Sequence, residues 1–207
     1  MALTSGEFGD CGPVSRFRVH FFPMNPVVAV VGLAGSGKSE LAALFEARGW
    51  ARVRFGQVTE DEVRARGLAV NEANERAVRE ELRRKHGMEA YALLNLSRIE
   101  AALAKSPVVC DGMYSWEEYL LLRKKFGAAF TVVNVQTSPA TRYARLGGRS
   151  VRPLTAAEAE SRDHAEIELL HKAGPIAMAD VTIVNEGGME ELKAEFAKVY
   201  ERVKGKG

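Results

Sequence analysis

The residues best suited to chemistry form one segment, GLAGSGKS, from Gly32 to Ser39. The segment fits the pattern G-x-x-x-x-G-K-[S/T], a phosphate loop in which glycines let backbone N–H groups converge on anionic oxygens. The pattern predicts that Lys38 places an ammonium beside the β- and γ-phosphates of a nucleoside triphosphate and that the Ser39 hydroxyl binds Mg²⁺. The predicted triphosphate contacts are Gly32, Ala34, Gly35, Ser36, Gly37, Lys38, Ser39 and Glu40.

The residues on either side of this segment favour a phosphate loop over a glycine-rich turn that matches by chance. The apolar run from Val27 to Val31 predicts a buried strand, and residues 40–48 predict a helix. Strand, loop and helix therefore follow in the order that the motif needs, and the N-terminus of the helix adds its positive potential to the site.

The remaining sequence alternates between apolar runs and helical patterns. Further strands are predicted at 51–55, 107–112, 130–135 and 181–184, and helices at 115–126, from Ser138, at 156–172 and at 189–203. Residues 59–105 are charged and rich in alanine, which predicts an insertion of two or three helices with breaks at Gly67 and Gly87. We therefore predict an α/β protein with the three-layer αβα P-loop NTPase fold, built on a five-stranded parallel sheet.

Ligands of such sheets gather at the carboxyl ends of the strands, and this rule selects several further residues. Asp111 ends the third predicted strand, where it could bind Mg²⁺, orient an acceptor hydroxyl as general base, or simply cap a turn. Ser39 and Asp111 are the candidate metal ligands. The helical insertion, at about 57–105, could grip a second substrate, and the candidate acceptor contacts are Phe55, Gln57, Arg64 and Asp111.

A run of arginines predicts a lid. Arg142, Arg145 and Arg149 are spaced by three and then four residues, which predicts one helical face, and Gly147-Gly148 could act as a hinge. Guanidinium groups suit a migrating phosphoryl group, although a solvated basic face would produce the same spacing. The lid would span about 146–162 and include Arg162, so the candidate catalytic residues are Lys38, Asp111, Arg145, Arg149 and Arg162.

Length and composition are those of an ordinary soluble protein. The chain has 207 residues and a formal net charge of +2, which predicts one domain and no nucleic-acid partner. Two cysteines make no disulfide framework and fit a reducing cytoplasm, and no apolar run reaches the roughly 20 residues that span a bilayer. Residues 1–23 are predicted to be a flexible leader before a domain at 24–207, and the oligomeric state is left open.

From about Pro26 to the end, the chain resembles the nucleoside monophosphate kinase and dephospho-coenzyme A kinase group of P-loop proteins. The resemblance rests on the phosphate loop, the helical insertion, Asp111-Gly112, the segment RLGGR and the final strand with Asn185-Glu186-Gly187. More narrowly, the chain looks like a little-characterised kinase-like family related to dephospho-coenzyme A kinase. The resemblance implies ATP and Mg²⁺ as cofactors, a lid formed by RLGGR and Arg162, and Asn185 and Gly187 near the adenine.

One departure bears on the acceptor. Dephospho-coenzyme A kinase and its relatives carry an aspartate just after the second strand, where this chain has Gly56-Gln57. Because glutamine cannot take a proton, either Asp111 or Asp61 serves as the base, or the acceptor is an anionic phosphate that needs none.

Two functional hypotheses follow from the sequence. The first is a phosphotransferase that moves the γ-phosphoryl group of MgATP to a nucleotide or nucleotide-like small molecule. The second is an ATPase or nucleotide-dependent switch that signals through a protein partner. The chain lacks the N-K-x-D motif common in GTP switches, and the arginines of the predicted lid favour the kinase.

Overall fold

The computed structural model describes residues 25–150 and 153–205 and contains the predicted parallel sheet. The five strands lie side by side in the order β2-β3-β1-β4-β5, and every pair is parallel. The strands are β1 (Val27–Val31), β2 (Ala51–Arg54), β3 (Val108–Asp111), β4 (Phe130–Gln136) and β5 (Val181–Val184). The predicted leader at 1–23 lies outside the described residues.

Helices connect the strands. They are α1 (Lys38–Glu46), α2 (Gln57–Ala65), α3 (Glu72–His86), α4 (Ala90–Leu103), α5 (Trp116–Phe126), α6 (Pro139–Gly147), α7 (Ala156–Glu168), α8 (Ala173–Ala177) and α9 (Met189–Val203). The insertion predicted as two or three helices contains three, and Gly67 (φ 69°) and Gly87 (φ 79°) lie just beyond the ends of α2 and α3.

Apolar side chains cover both faces of the sheet. Successive residues of β1 alternate between two cores: Val27, Ala29 and Val31 face the core that includes α4 and α5, and Val28 and Val30 face the core that includes α1 and α9. This alternation follows from the period of two of a strand, and it makes the fold a three-layer αβα sandwich.

One helix boundary differs from the prediction. The helix predicted for 156–172 ends at Glu168, and His171 adopts a left-handed backbone with φ 52° before the short α8. A left-handed residue cannot continue an α-helix, so Lys172 leaves the helix and points inward. None of the helices in 25–150 and 153–205 is long and apolar enough to cross a membrane.

Candidate nucleotide and acceptor site

The phosphate loop follows β1 directly, and its glycines adopt backbone conformations that other residues rarely adopt. Gly37, with φ 99°, precedes the first residue of α1, and a Cβ added there would lie 2.4 Å from Asn185 Nδ2. Gly32, with φ 139°, would bring a Cβ within 2.5 Å of the Val135 carbonyl oxygen. Both positions therefore require glycine, for the conformation and for the close packing of the loop.

Side chains from α6 and from the residues that follow β4 and β5 hold the carbonyl groups of this loop. Asn185 Nδ2 donates to Ser36 O at 2.8 Å, and the Thr137 hydroxyl lies 3.1 Å from the same oxygen. Arg142 Nη1 donates to Ala34 O at 3.2 Å. Because side chains hydrogen-bond to these carbonyl groups, the loop is held in place at the carboxyl edge of the sheet, where a phosphate group would bind.

Lys38 folds back over the loop and donates from Nζ to Leu33 O at 3.0 Å. Burial is the largest cause that lowers the pKa of Lys38 to about 7, and the charge of Lys172 lowers it further, while Glu166 and Asp111 act in the opposite direction. Lys38 therefore lies among charged side chains from three other parts of the chain.

A cavity of about 450 Å³ lies beside the end of the loop. Ser39 lines one side of it, and Asp111, at the end of β3, lines another. The predicted rim therefore brings the two candidate metal ligands to the same cavity. Its other lining residues are Arg52, Arg54, Gly56, Gly112 and Tyr114.

Asp111 has a partner that sequence reasoning missed. Arg52 of β2 donates to Asp111 Oδ2 from Nε at 3.2 Å and from Nη2 at 2.6 Å. The side chains are 18% and 11% exposed, so this ion pair is largely shielded from water. The strand order carries the signal, because parallel pairing places Arg54 beside Asp111 and Arg52 two residues behind it on the same face of the sheet.

The donors at this cavity suit magnesium. Mg²⁺ prefers oxygen ligands and usually takes only one or two from the protein, since substrate phosphates and water supply the rest. A serine hydroxyl and an aspartate meet that requirement. No group of three or more His, Cys, Asp or Glu side chains that could form an all-protein metal site occurs within the described part of the chain.

The prediction that Arg142, Arg145 and Arg149 share one helical face is wrong. Arg142 is 2% exposed and donates to both oxygens of Asp163, at 2.8 and 2.6 Å, so it joins α6 to α7. Arg149 lies beyond the end of α6 and is exposed, because the helix stops at Gly147. Arg145 donates to the carbonyls of Asn185 and Gly187 at 3.0 and 2.6 Å, and so joins the predicted lid to the predicted adenine loop. Arg152, in the predicted lid, lies outside the described residues.

A charge cluster centred on the buried Glu166 of α7 acts on Lys38 of the phosphate loop, and the sequence did not predict it. Lys172, which is fully buried, donates to Glu166 Oε2 at 2.6 Å and lies 4.4 Å from the centre of the Tyr114 ring. The exposed Arg162, a predicted catalytic residue, donates from Nε to Glu166 Oε1 at 3.2 Å. Glu166 therefore holds one cation on each oxygen.

The remaining predicted acceptor contacts differ in their surroundings. Phe55 is fully buried in the core that includes α4 and α5, so its side chain packs behind the rim. Gln57 lines a second cavity, of about 220 Å³, together with Arg52, Arg54, Val53 and Arg98. Arg64 is exposed and pairs with Glu60 at 3.6 Å.

Residues 28–168 match the family model described as an AAA domain. UPF0200 protein TK1334 of Thermococcus kodakarensis is 36% identical over 181 residues, which are 86% of this chain and 97% of the relative. A UPF0200 protein of Methanoculleus marisnigri is 34% identical over 183 residues, covering 87% and 98% of the two chains.

Among solved structures, the chain is similar to shikimate kinase from Bacteroides thetaiotaomicron, with a TM-score of 0.57, 13% identity, and 86% and 98% of the two chains covered. It is also similar to a sugar kinase from Janibacter sp. HTCC2649, with a TM-score of 0.51, 14% identity, and 86% and 93% covered. At these identities the likeness shows the fold, an α/β P-loop kinase-like fold. The match to the relatives is much closer and extends over nearly their whole length, so the chain belongs to the UPF0200 family of P-loop proteins.

Proposed function

We propose that this protein is a phosphotransferase that moves the γ-phosphoryl group of MgATP to a small nucleotide or nucleotide-like acceptor, of the nucleoside monophosphate or dephospho-coenzyme A kind. One observation carries the proposal: the end of the phosphate loop at Ser39 opens into the same cavity as Asp111 and Arg52. A donor phosphate on the loop and an acceptor in the cavity would therefore lie side by side. The fold that the protein shares with small-molecule kinases supports the same reading.

The residues divide between the two substrates. Lys38 and the loop amides neutralise the phosphates of ATP, and Arg145 supports the Asn185–Gly187 loop, where the adenine would lie. Ser39 and Asp111 would hold Mg²⁺, which neutralises charge that develops on the phosphates. Arg149 and Arg162, both exposed, would close over the transferring group and exclude water.

Label transfer tests the proposal. The protein is incubated with Mg²⁺ and γ-labelled ATP against nucleoside monophosphates, nucleosides and dephospho-coenzyme A. We expect label on one class of acceptor and slow hydrolysis when no acceptor is present. The variant Lys38→Ala should lose transfer by at least ~100-fold, because one preorganised electrostatic contact to a transition state is worth that much.

The matched control is Lys193→Ala, which removes an exposed lysine of α9 that pairs with Glu190. It should transfer label like the unaltered protein. Rapid turnover of ATP that is independent of any acceptor would contradict the kinase and favour an ATPase. Binding of ATP without transfer to any acceptor would favour a switch that acts through a protein partner.

A further inference from the structure

Two hydroxyl groups, those of Ser39 and Tyr114, occur among the side chains that line the cavity beside the phosphate loop. The charged lining residues Arg52, Arg54 and Asp111 each have a partner in an ion pair. Within the part of the chain that the structure describes, neither hydroxyl forms a hydrogen bond with another residue. Ser39 is a candidate ligand of Mg²⁺, so the hydroxyl of Tyr114 is the group in this wall whose ligand is still to be assigned.

The Tyr114 hydroxyl lies at the cavity wall. A Cβ added at Gly112, which also lines the cavity, would lie 3.4 Å from Tyr114 Cε2 and 3.8 Å from the hydroxyl oxygen. This oxygen is not one of the buried side-chain atoms that lack a partner among the described residues, so water reaches it. Burial of the ring raises the pKa of Tyr114 to about 12. The hydroxyl therefore keeps its proton at neutral pH and is able to donate it in a hydrogen bond.

Two contacts hold Tyr114 in position. The buried ammonium group of Lys172 lies 4.4 Å from the centre of the Tyr114 ring, which is within the range of a cation–π interaction. The backbone N–H of Tyr114 donates to Glu118 Oε2 at 2.7 Å, beside the capping box of α5. Because ring and backbone are both held, binding a ligand through this hydroxyl costs little conformational entropy.

The order of the strands indicates which substrate Tyr114 faces. The phosphate loop follows β1, which lies in the middle of the sheet between β3 and β4. The lining residues of the cavity other than Ser39 lie on β2 and β3 or directly after these strands. The Asn185–Gly187 loop, where the adenine would lie, follows β5 on the opposite side of the phosphate loop. Tyr114 therefore lies on the side of the cavity, away from the proposed adenine site.

We propose that Tyr114 binds the acceptor: its hydroxyl donates a hydrogen bond to an oxygen atom of the acceptor and so orients that molecule toward the γ-phosphoryl group. The inference rests on the proposed function and adds a specificity-determining residue to it. Tyr114 gives up no proton in the reaction, and its role is to position the acceptor. A molecule without an oxygen at this place is disfavoured, because the hydroxyl would lose its water without a new partner.

The variant Tyr114→Phe tests the proposal, because it removes the hydroxyl and keeps the ring that contacts Lys172. Label transfer from γ-labelled MgATP is measured with nucleoside monophosphates, nucleosides and dephospho-coenzyme A, and kinetics follow for the acceptor that receives label. We expect the KM for this acceptor to rise about three- to tenfold, the effect of one hydrogen bond. The Kd for ATP and the midpoint of urea denaturation should stay the same.

The matched control is Tyr200→Phe. Tyr200 of α9 also has cations beside its ring, with Arg48 at 5.0 Å and Lys204 at 6.0 Å, but it is not a lining residue of the cavity. Its KM for the acceptor should equal that of the unaltered protein. Three results for Tyr114→Phe would each overturn the inference and leave the kinase standing: an unchanged KM, an equally weakened affinity for ATP, or a lower urea midpoint. An equal rise of the KM in Tyr200→Phe would do the same.

The unaltered protein separates this inference from the proposed function. If it transfers label to none of the acceptors, the proposed function fails, and the role of Tyr114 fails with it.

Discussion

At the scale of single residues, Glu118 shows how burial and capping compete. Its carboxylate accepts from the backbone N–H groups of Tyr114 and Ser115, at 2.7 and 3.3 Å, and Ser115 caps α5 in return. The side chain is fully buried, and burial raises its pKa to about 7 from an ordinary 4.5. The folded protein therefore holds a proton on Glu118 more tightly than the unfolded chain does.

The sign of the pH dependence follows from linkage. A raised pKa in the folded state makes the contribution of Glu118 to stability complete below pH 4.5 and progressively smaller as the pH rises to about 7. The variant Glu118→Gln keeps an acceptor for the cap but has no carboxyl group to titrate. We predict that its free energy of unfolding increases relative to that of the unaltered protein as the pH rises from 4.5 to about 7. The gain should be on the order of 2–3 kcal/mol. Urea denaturation at several pH values measures it, and parallel curves would contradict the prediction.

At the scale of elements, the buried pair of Glu166 and Lys172 joins α7 to the start of α8, and both charges act on Lys38 of the phosphate loop. Lys38 is influenced by both charges, and Arg162 shares the carboxylate of Glu166. Lys172 satisfies Glu166 from the buried side. If Lys172 were absent, Glu166 would compete with phosphate for Lys38 and Arg162.

We therefore predict that Lys172→Met weakens nucleotide binding about tenfold and lowers the free energy of unfolding by about 3–5 kcal/mol, the usual cost of breaking a buried ion pair. The double variant Glu166→Gln/Lys172→Met should recover most of the affinity, because the competing carboxylate is gone. Calorimetric titration with ATP measures both. Equal affinity in the single and double variants would mean that the pair supports the fold alone. Lys125→Met, in an exposed pair with Glu100, is the control.

The elements themselves could be predicted from sequence to a large extent. Apolar runs identify all five strands, and glycines mark the breaks in an insertion predicted as two or three helices, because both signals are local. The end of α7 could not be predicted, since apolar residues continue past Glu168 and the left-handed backbone of His171 has no local signal. The ion pair of Arg52 with Asp111 was also hidden, because it depends on which strand lies beside β3.

At the scale of the whole molecule, an aromatic cluster joins the end of the chain to the helix that carries the phosphate loop. Phe45 of α1 meets Phe196 of α9 edge to face, with 4.9 Å between ring centroids, and also contacts Trp50. One turn earlier in α9, Leu192 approaches the loop at Gly37. The C-terminal helix thus supports α1 along its length, and the site depends on residues far from it in sequence.

This dependence leads to a final prediction. Phe196 is 3% exposed, and Phe196→Ala should lower the free energy of unfolding by about 3–5 kcal/mol, the usual cost of removing a buried ring. Leu120→Ala, on an exposed position of α5, should cost little and serves as the control. Urea denaturation, followed by circular dichroism and by tryptophan fluorescence in a Trp116→Phe background that leaves Trp50 as the reporter, measures the loss. If α9 and the sheet form one cooperative unit, both signals shift together; a transition by fluorescence that precedes the loss of helix would show that α9 detaches first.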